Sequence, residues 1–136
     1  MVADPFDLSE KTAFVTGGNR GLGLGMALGL AKAGAAVAIA CRNMEKAQDA
    51  LKKIEATGVR ALAVDCDVTS PESISQAVAE TKAKLGPIGI LVNNSGTSCR
   101  FRPEVTPDDE WDRVIDTNLK GPFMVAKAVA RSPATT

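Results

Sequence analysis

The sequence predicts an α/β fold, a doubly wound parallel sheet of four strands in the order 3-2-1-4 with helices on both faces. Three observations carry this. Short β-branched apolar runs alternate with Ala/Leu/Lys-rich stretches of helical length, the pattern of β-α-β units. The first strand runs directly into a glycine-rich turn that opens a helix, and right-handed crossovers then fix the strand order. No repeat, charge block or linker interrupts the 136 residues, so one domain is expected.

Thr12 to Thr16 is the first strand. Glycines follow, then a helix from about Gly21 to Ala33, stopped by Gly34 in the position after its C-cap. Val37 to Ala40 reads as a fully buried second strand, and Met44 to Ala56 as the next helix, closed by Gly58. Val59 to Val64 is the third strand. Thr69-Ser70-Pro71-Glu72 starts the third helix with hydroxyls for capping, a proline suited to the first turn and an acid near the positive dipole end. That helix ends near Leu85-Gly86-Pro87. Ile88 to Val92 is strand four, ending at Asn93-Asn94-Ser95-Gly96. After a loop, Thr106-Pro107-Asp108-Asp109 is expected to cap a long helix through Trp111, Val114 and Ile115 to about Ala130, with Ser132-Pro133 ending it. Strand four then lies at an edge with one side unpaired. The sheet is expected to be incomplete.

Composition narrows the function classes. Lys+Arg total 16 and Asp+Glu 16, which gives no electrostatic footprint for nucleic acid or an anionic membrane. The longest nearly pure apolar run, Ala33 to Cys41, is too short to span a bilayer. Met1 to Pro5 lacks a basic region leading into an apolar core, so a cytoplasmic location is expected. Cys41, Cys66 and Cys99 lack C-x-x-C or metal-ligand spacing and are expected to be reduced; no metal site is expected. Histidine and tyrosine are absent, which excludes a His-based triad and a tyrosine acid within these residues.

The turn Thr16-Gly17-Gly18-Asn19-Arg20-Gly21-Leu22-Gly23 departs from strict G-x-G-x-x-G, because counting from Gly21 and Gly23 puts Met26 third. Its T-G-x-x-x-G-x-G spacing serves similar physics. Gly17 permits a sharp exit from the strand, and Gly21 and Gly23 let backbone N–H groups approach a pyrophosphate at the helix N-terminus. Asn19, Arg20 and Leu22 complete the candidate turn. Gly25 and Gly29, four apart, are expected to let the helix press closely on the sheet. A tight loop without ligand is the plain alternative. Gly21-Leu22-Gly23-Leu24-Gly25 also matches the loop of Rossmann-like methyltransferases, though those carry an acid where Asn19 and Arg20 stand.

At the end of strand two, where an acid would accept from the ribose 2′-OH of NAD, the sequence reads Ala40-Cys41-Arg42-Asn43. Arg42 offers a guanidinium fork suited to a 2′-phosphate, and Arg20 can approach from the other side. NADP is therefore expected over NAD, against the alternative of a solvated Arg42 and an Arg20 that only caps the turn. Glu45 is a further acid, but in the next helix. Asp67 ends strand three at the carboxyl edge, where ligands bind in open α/β sheets; Asp65 alternates to the other face. A carboxylate serving only the next helix N-terminus is the alternative for Asp67. Trp111, Val114, Ile115 and Asn118 fall at i, i+3, i+4 and i+7, which puts an amide on a buried stripe with Trp111 as core. Pro122 withholds the N–H that would bond the Asn118 carbonyl, and Gly121 makes a kink easier. An Asn118 satisfied by the core stays open as the bland reading.

Thr16-Gly17-x-x-x-Gly21-x-Gly23, Asp67-Val68, Asn93-Asn94-Ser95-Gly96 and Asn118, in order and spacing, resemble the short-chain dehydrogenase/reductase family from about Leu8 to Arg131. The resemblance implies the N-terminal, cofactor-binding half of a Rossmann-like oxidoreductase that moves hydride between NADP(H) and a carbonyl or alcohol substrate of sugar-acid, polyol or 3-oxoacyl type. It implies that Asp67 and the Val68 N–H clamp adenine, and that Asn94, Ser95 (alanine is usual there) and Gly96 wall the adenine and ribose. It implies that Asn118, at a helix kink, supports a proton relay through a water and a lysine. The family's Ser, Tyr and Lys lie beyond this helix, so the chain is expected to be truncated and inactive alone; a natural non-catalytic short form is the alternative. The helix over 107–131 is a usual oligomer surface of the family, and a homo-oligomer is expected.

Overall fold

Five consecutive buried residues, Thr12–Thr16, make β1 the axis on which the sheet is built. In the computed structural model, which describes residues 3–131, β1 is followed by α1 (Gly21–Lys32), β2 (Ala36–Cys41), α2 (Met44–Glu55), β3 (Ala61–Asp65), α3 (Pro71–Leu85) and β4 (Ile90–Val92). A short 3-10 turn (Pro103–Val105), α4 (Asp108–Ile115), a π-helical segment (Asp116–Lys120) and α5 (Gly121–Ala130) complete it. The four strands are parallel in the order β3-β2-β1-β4, as expected, with Phe14 paired to Ala38 on one side and Leu91 on the other.

Alternation along the strands splits the core in two. Val15, Val37 and Ile39 face α1 and α2, meeting Ala27, Ala31, Ala47 and Ile54. Phe14, Ala38 and Val64 face the other way, onto Ile74 and Val78 of α3 and Val125 of α5. The small alanines let helices lie close on the sheet. Ser70 caps α3, its hydroxyl oxygen accepting from the Ser73 N–H at 3.2 Å, and Pro71 takes the first turn. Gly34, with φ +103°, stops α1 in the left-handed region as expected.

Several expectations are corrected. β2 is longer than expected at both ends, and β3 begins at Ala61 rather than Val59, the Arg60 carbonyl already serving the Val37 N–H at 3.0 Å. β4 is only three residues long. Gly25 and Gly29 do not touch the sheet: both are exposed, and an added Cβ would meet nothing within 4 Å. The close approach is made instead by Gly18 and Gly23. Thr106 does not cap the long helix; its hydroxyl donates to the Arg102 carbonyl at 2.8 Å. Pro107 occupies the N-cap position with no side-chain bond, and Asp108, Asp109 and Glu110 supply the favourable charge. The stripe of Trp111 and Asn118 is not core: Trp111 is 63% exposed, α4 buries no residue, and Asn118 is exposed. The helix periodicity is real, but the stripe is only partly covered: Val114 and Ile115 are half-buried while Trp111 and Asn118 stay exposed. Ser132 and Pro133 lie outside the described residues. Among those described, no helix is long and apolar enough to cross a membrane.

Candidate functional site

The carboxyl ends of the strands open into a cleft of about 850 Å³, within the range of small-molecule sites. Its floor is the glycine turn. Gly17, at φ +64°, reverses the chain out of β1, and Gly21, at φ +54°, also needs the left-handed region that disfavours side chains. Gly23 is required by contact: a Cβ there would stand 2.1 Å from the Gly17 carbonyl oxygen and 2.5 Å from Asn94 Nδ2. No side chain caps α1, whose N-cap residue is Arg20, and its first residues Gly21, Leu22 and Gly23 line the cleft.

Thr16 and Asn94 lock this turn to β4. The Thr16 hydroxyl oxygen accepts from the backbone N–H of Asn94 at 2.9 Å and of Ser95 at 3.0 Å. Asn94 Nδ2 donates to the carbonyls of Thr16 at 3.1 Å and Gly17 at 3.2 Å. Its side chain therefore supports the wall from within. Asn94, Ser95 and Gly96 all line the cleft, as do Asn19, Arg20 and Leu22.

At the far end, Arg42 and Asp67 sit on adjacent strand ends. Asp67 Oδ1 accepts from the Thr69 N–H at 2.9 Å and its hydroxyl at 2.7 Å. The Thr69 hydroxyl, then the N–H, hold this carboxyl below its ordinary pKa, and the Arg42 charge adds to them. Val68 lines the cleft beside it, while exposed Asp65 does not. Arg20 and Arg42 are both exposed on the rim, and among the described residues neither forms an ion pair.

Apart from Thr16, Gly18 and Asn93, the glycine-turn and strand-end residues singled out in the sequence line this one cleft. Asn118 does not. It lies in the π segment, where the Gly121 N–H reaches the Asp116 carbonyl, so the kink expected from Gly121 and Pro122 takes the form of a widened turn. Its amide pairs with the Thr97 backbone in both directions, accepting at 2.8 Å and donating at 2.7 Å. Thr97 in turn lines the cleft.

Sequence reasoning missed Cys41, Cys66, Lys46, Thr97, Arg113 and Thr117, which also line it. Cys41 and Cys66 follow from their place at strand ends, and burial pushes the Cys66 thiol up to about 11. Arg113 donates to the Thr97 hydroxyl at 2.6 Å and the Ser98 carbonyl at 3.0 Å while its guanidinium is held by Glu110. No sequence signal separates that arginine from a solvated one.

A model of the short chain dehydrogenase family matches residues 11–134. Gluconate 5-dehydrogenase of Gluconobacter oxydans (strain 621H) is 41% identical over 128 residues, covering 94% of this chain and 50% of that protein. Two solved structures superpose closely. NAD+-bound xylitol dehydrogenase gives a TM-score of 0.85 at 36% identity, over 93% of this chain and 48% of that one. An F189W actinorhodin polyketide ketoreductase with NADPH also gives 0.85 at 36% identity, over 89% and 46%. The chain thus spans about half the length of these relatives, and their names are those of oxidoreductases. The sheet order, the glycine turn locked to β4 and the family match over nearly the whole chain converge: it belongs to the short-chain dehydrogenase family.

Proposed function

We propose that these residues form the NADP(H)-binding half of an oxidoreductase that moves hydride between the nicotinamide and a carbonyl or alcohol carbon. The observation that carries the cofactor choice is the end of β2, where Arg42 stands on the rim of the cleft that Arg20 also lines, and the cleft carries no carboxylate but Asp67. A guanidinium there favours a 2′-phosphate; NAD selection would want an acid accepting from the 2′-OH.

The residues fit the cofactor. Gly23 lets the start of α1 pack against Gly17 and Asn94, where a Cβ would clash, and the uncapped start of α1 suits a pyrophosphate. Asp67 and the Val68 N–H suit adenine, with Asn94, Ser95 and Gly96 as the wall. Bound in this cleft, the dinucleotide supplies the hydride. Asn118 holds Thr97 at the cleft edge, and its role in a proton relay is an inference from family resemblance. The 136 residues contain no tyrosine, the residue to which that resemblance assigns proton transfer. General acid–base catalysis is worth about 10²–10⁴-fold, so the 136-residue chain alone is expected to bind cofactor without turnover.

A substrate of sugar-acid, polyol or 3-oxoacyl type is the class proposed, and the names of the gluconate, xylitol and polyketide relatives support it. The three free cysteines, two of them buried, fit a reducing compartment, and the cytoplasm is the location proposed. A homo-oligomer through 107–131 is proposed on the exposed Trp111, Leu119 and Phe123 of that segment. The test of the cofactor reading is a fluorescence titration with NADPH and NADH of the wild type and Arg42→Asp. NADPH binding is expected to weaken much more than NADH binding. Equal weakening of both removes Arg42 from the 2′-phosphate.

A further inference from the structure

We infer that Lys46 is a third cation at the adenosine end of the cleft and contacts the 2′-phosphate of NADP(H) alongside Arg20 and Arg42. The inference rests on the NADP(H) reading above and adds a residue that selects the cofactor. Two neighbouring charged residues stand in the first turn of α2: Glu45, the acid weighed in the sequence for a ribose hydroxyl, and Lys46, which the sequence reading passed over. Helical phase decides between them, because adjacent side chains diverge by about 100° around the axis. Lys46 lines the cleft and Glu45 does not.

Local geometry holds Lys46 there. Asn43, the N-cap of α2, accepts from the Lys46 N–H at 2.9 Å, which makes Lys46 the third residue of the helix and ties its backbone to the strand end carrying Arg42. A cation in a first turn opposes the helix dipole, so the position is unfavourable to the helix by itself. An anion in the cleft offsets that repulsion. Among the described residues Lys46 forms no ion pair, and Asp67 is the one carboxylate lining the cleft, already engaged by Thr69. Three cations without an ion pair line one cleft, against the single carboxylate of Asp67, and they match the dianionic group that distinguishes NADP(H) from NAD(H).

The test uses the purified protein with Lys46→Gln, Lys46→Arg and Glu45→Gln, titrated with NADPH, NADH, adenosine 2′-monophosphate and adenosine 5′-monophosphate. Lys46→Gln is expected to weaken NADPH and the 2′-monophosphate about tenfold, the scale of one charge-assisted hydrogen bond, and to leave NADH and the 5′-monophosphate unchanged. Lys46→Arg is expected to restore most of the loss, and Glu45→Gln to alter none of the four. A thermal unfolding midpoint unchanged in Lys46→Gln accompanies these results, since the side chain is exposed. If the wild type prefers NADPH and Lys46→Gln binds it equally well, or loses NADPH and NADH alike, the assignment of Lys46 is overturned while the cofactor reading stands. A wild type with no preference between NADPH and NADH overturns the cofactor reading and this inference with it.

Discussion

Two glycines of one helix make the residue-scale case. Gly23 and Gly25 look equivalent in Gly21-Leu22-Gly23-Leu24-Gly25, yet a Cβ at Gly23 would stand 2.1 Å from a carbonyl oxygen and one at Gly25 would meet nothing within 4 Å. Gly23→Ala is expected to force the backbone of the turn apart, costing about 1–3 kcal/mol and abolishing NADPH binding. Gly25→Ala is expected to gain about 0.4–1 kcal/mol, because alanine restricts the unfolded chain and suits a helix interior. Urea unfolding of both variants, with an NADPH titration, checks the pair. The glycine spacing was legible in the sequence. Which glycine is pressed against what was not, because that depends on Asn94, 71 positions on from Gly23, folding back over the turn. Asp67 gives a pH prediction at the same scale. Thr69 depresses its folded pKa below the ordinary 3.8, so the stabilisation is present above the unfolded pKa and is lost as pH falls through the folded one. Thr69→Val removes the hydroxyl donor and is expected to raise the Asp67 pKa. The stability gap between wild type and variant should be full at pH 6 and close as the acid protonates below about 3.8, as measured by unfolding across that range.

At the scale of elements, the strands and the first three helices were legible because each carries its own punctuation: Gly34 and Gly58 after helices, Ser70-Pro71 before one, an apolar run at each strand. The stretch from 108 to 130 was legible only in part. Gly121-Pro122 predicted a break in regular hydrogen bonding, and the π segment is that break. Periodicity also predicted a buried stripe, but a moment along a helix says only that one side is apolar and never where its partner lies. Here α5 packs through Val125, while α4 and the π segment are tied down by polar bonds, Asn118 to the Thr97 backbone and Arg113 to Thr97 and Ser98. Asn118→Ala deletes two of these bonds and is expected to cost about 1–2 kcal/mol, discounted for their exposure. The local signature is sharper than the global one. The Thr97 amide should exchange with solvent faster in Asn118→Ala, while the amides of β1 keep their wild-type protection. Equal loss of protection in both places would mean that Asn118 supports the whole fold rather than the cleft edge.

At the scale of the whole molecule, β4 is an edge strand of the sheet among the described residues. β1 is paired on both sides, but among the described residues β4 pairs only with β1, and its three residues are half-buried. Beside this edge the α4–α5 segment exposes Trp111 by 63% and Leu119 and Phe123 by 65% each. Isolated apolar side chains at a surface are ordinary, and three large ones on one helical segment are the basis of the homo-oligomer proposed above. The unpaired strand edge is a second and physically different adhesive, acting through backbone hydrogen bonds. The two separate by mutation. Sedimentation velocity of the 136-residue chain is expected to show self-association at micromolar concentration. Leu119→Ser with Phe123→Ser removes apolar area that is already in water, so the thermal midpoint should hold while the association constant falls by tenfold or more. If the side chains are the adhesive, the remaining species is a monomer. If association persists at its original strength in the double variant, the contact runs through β4, and a proline at Leu91 is then the substitution that disperses it.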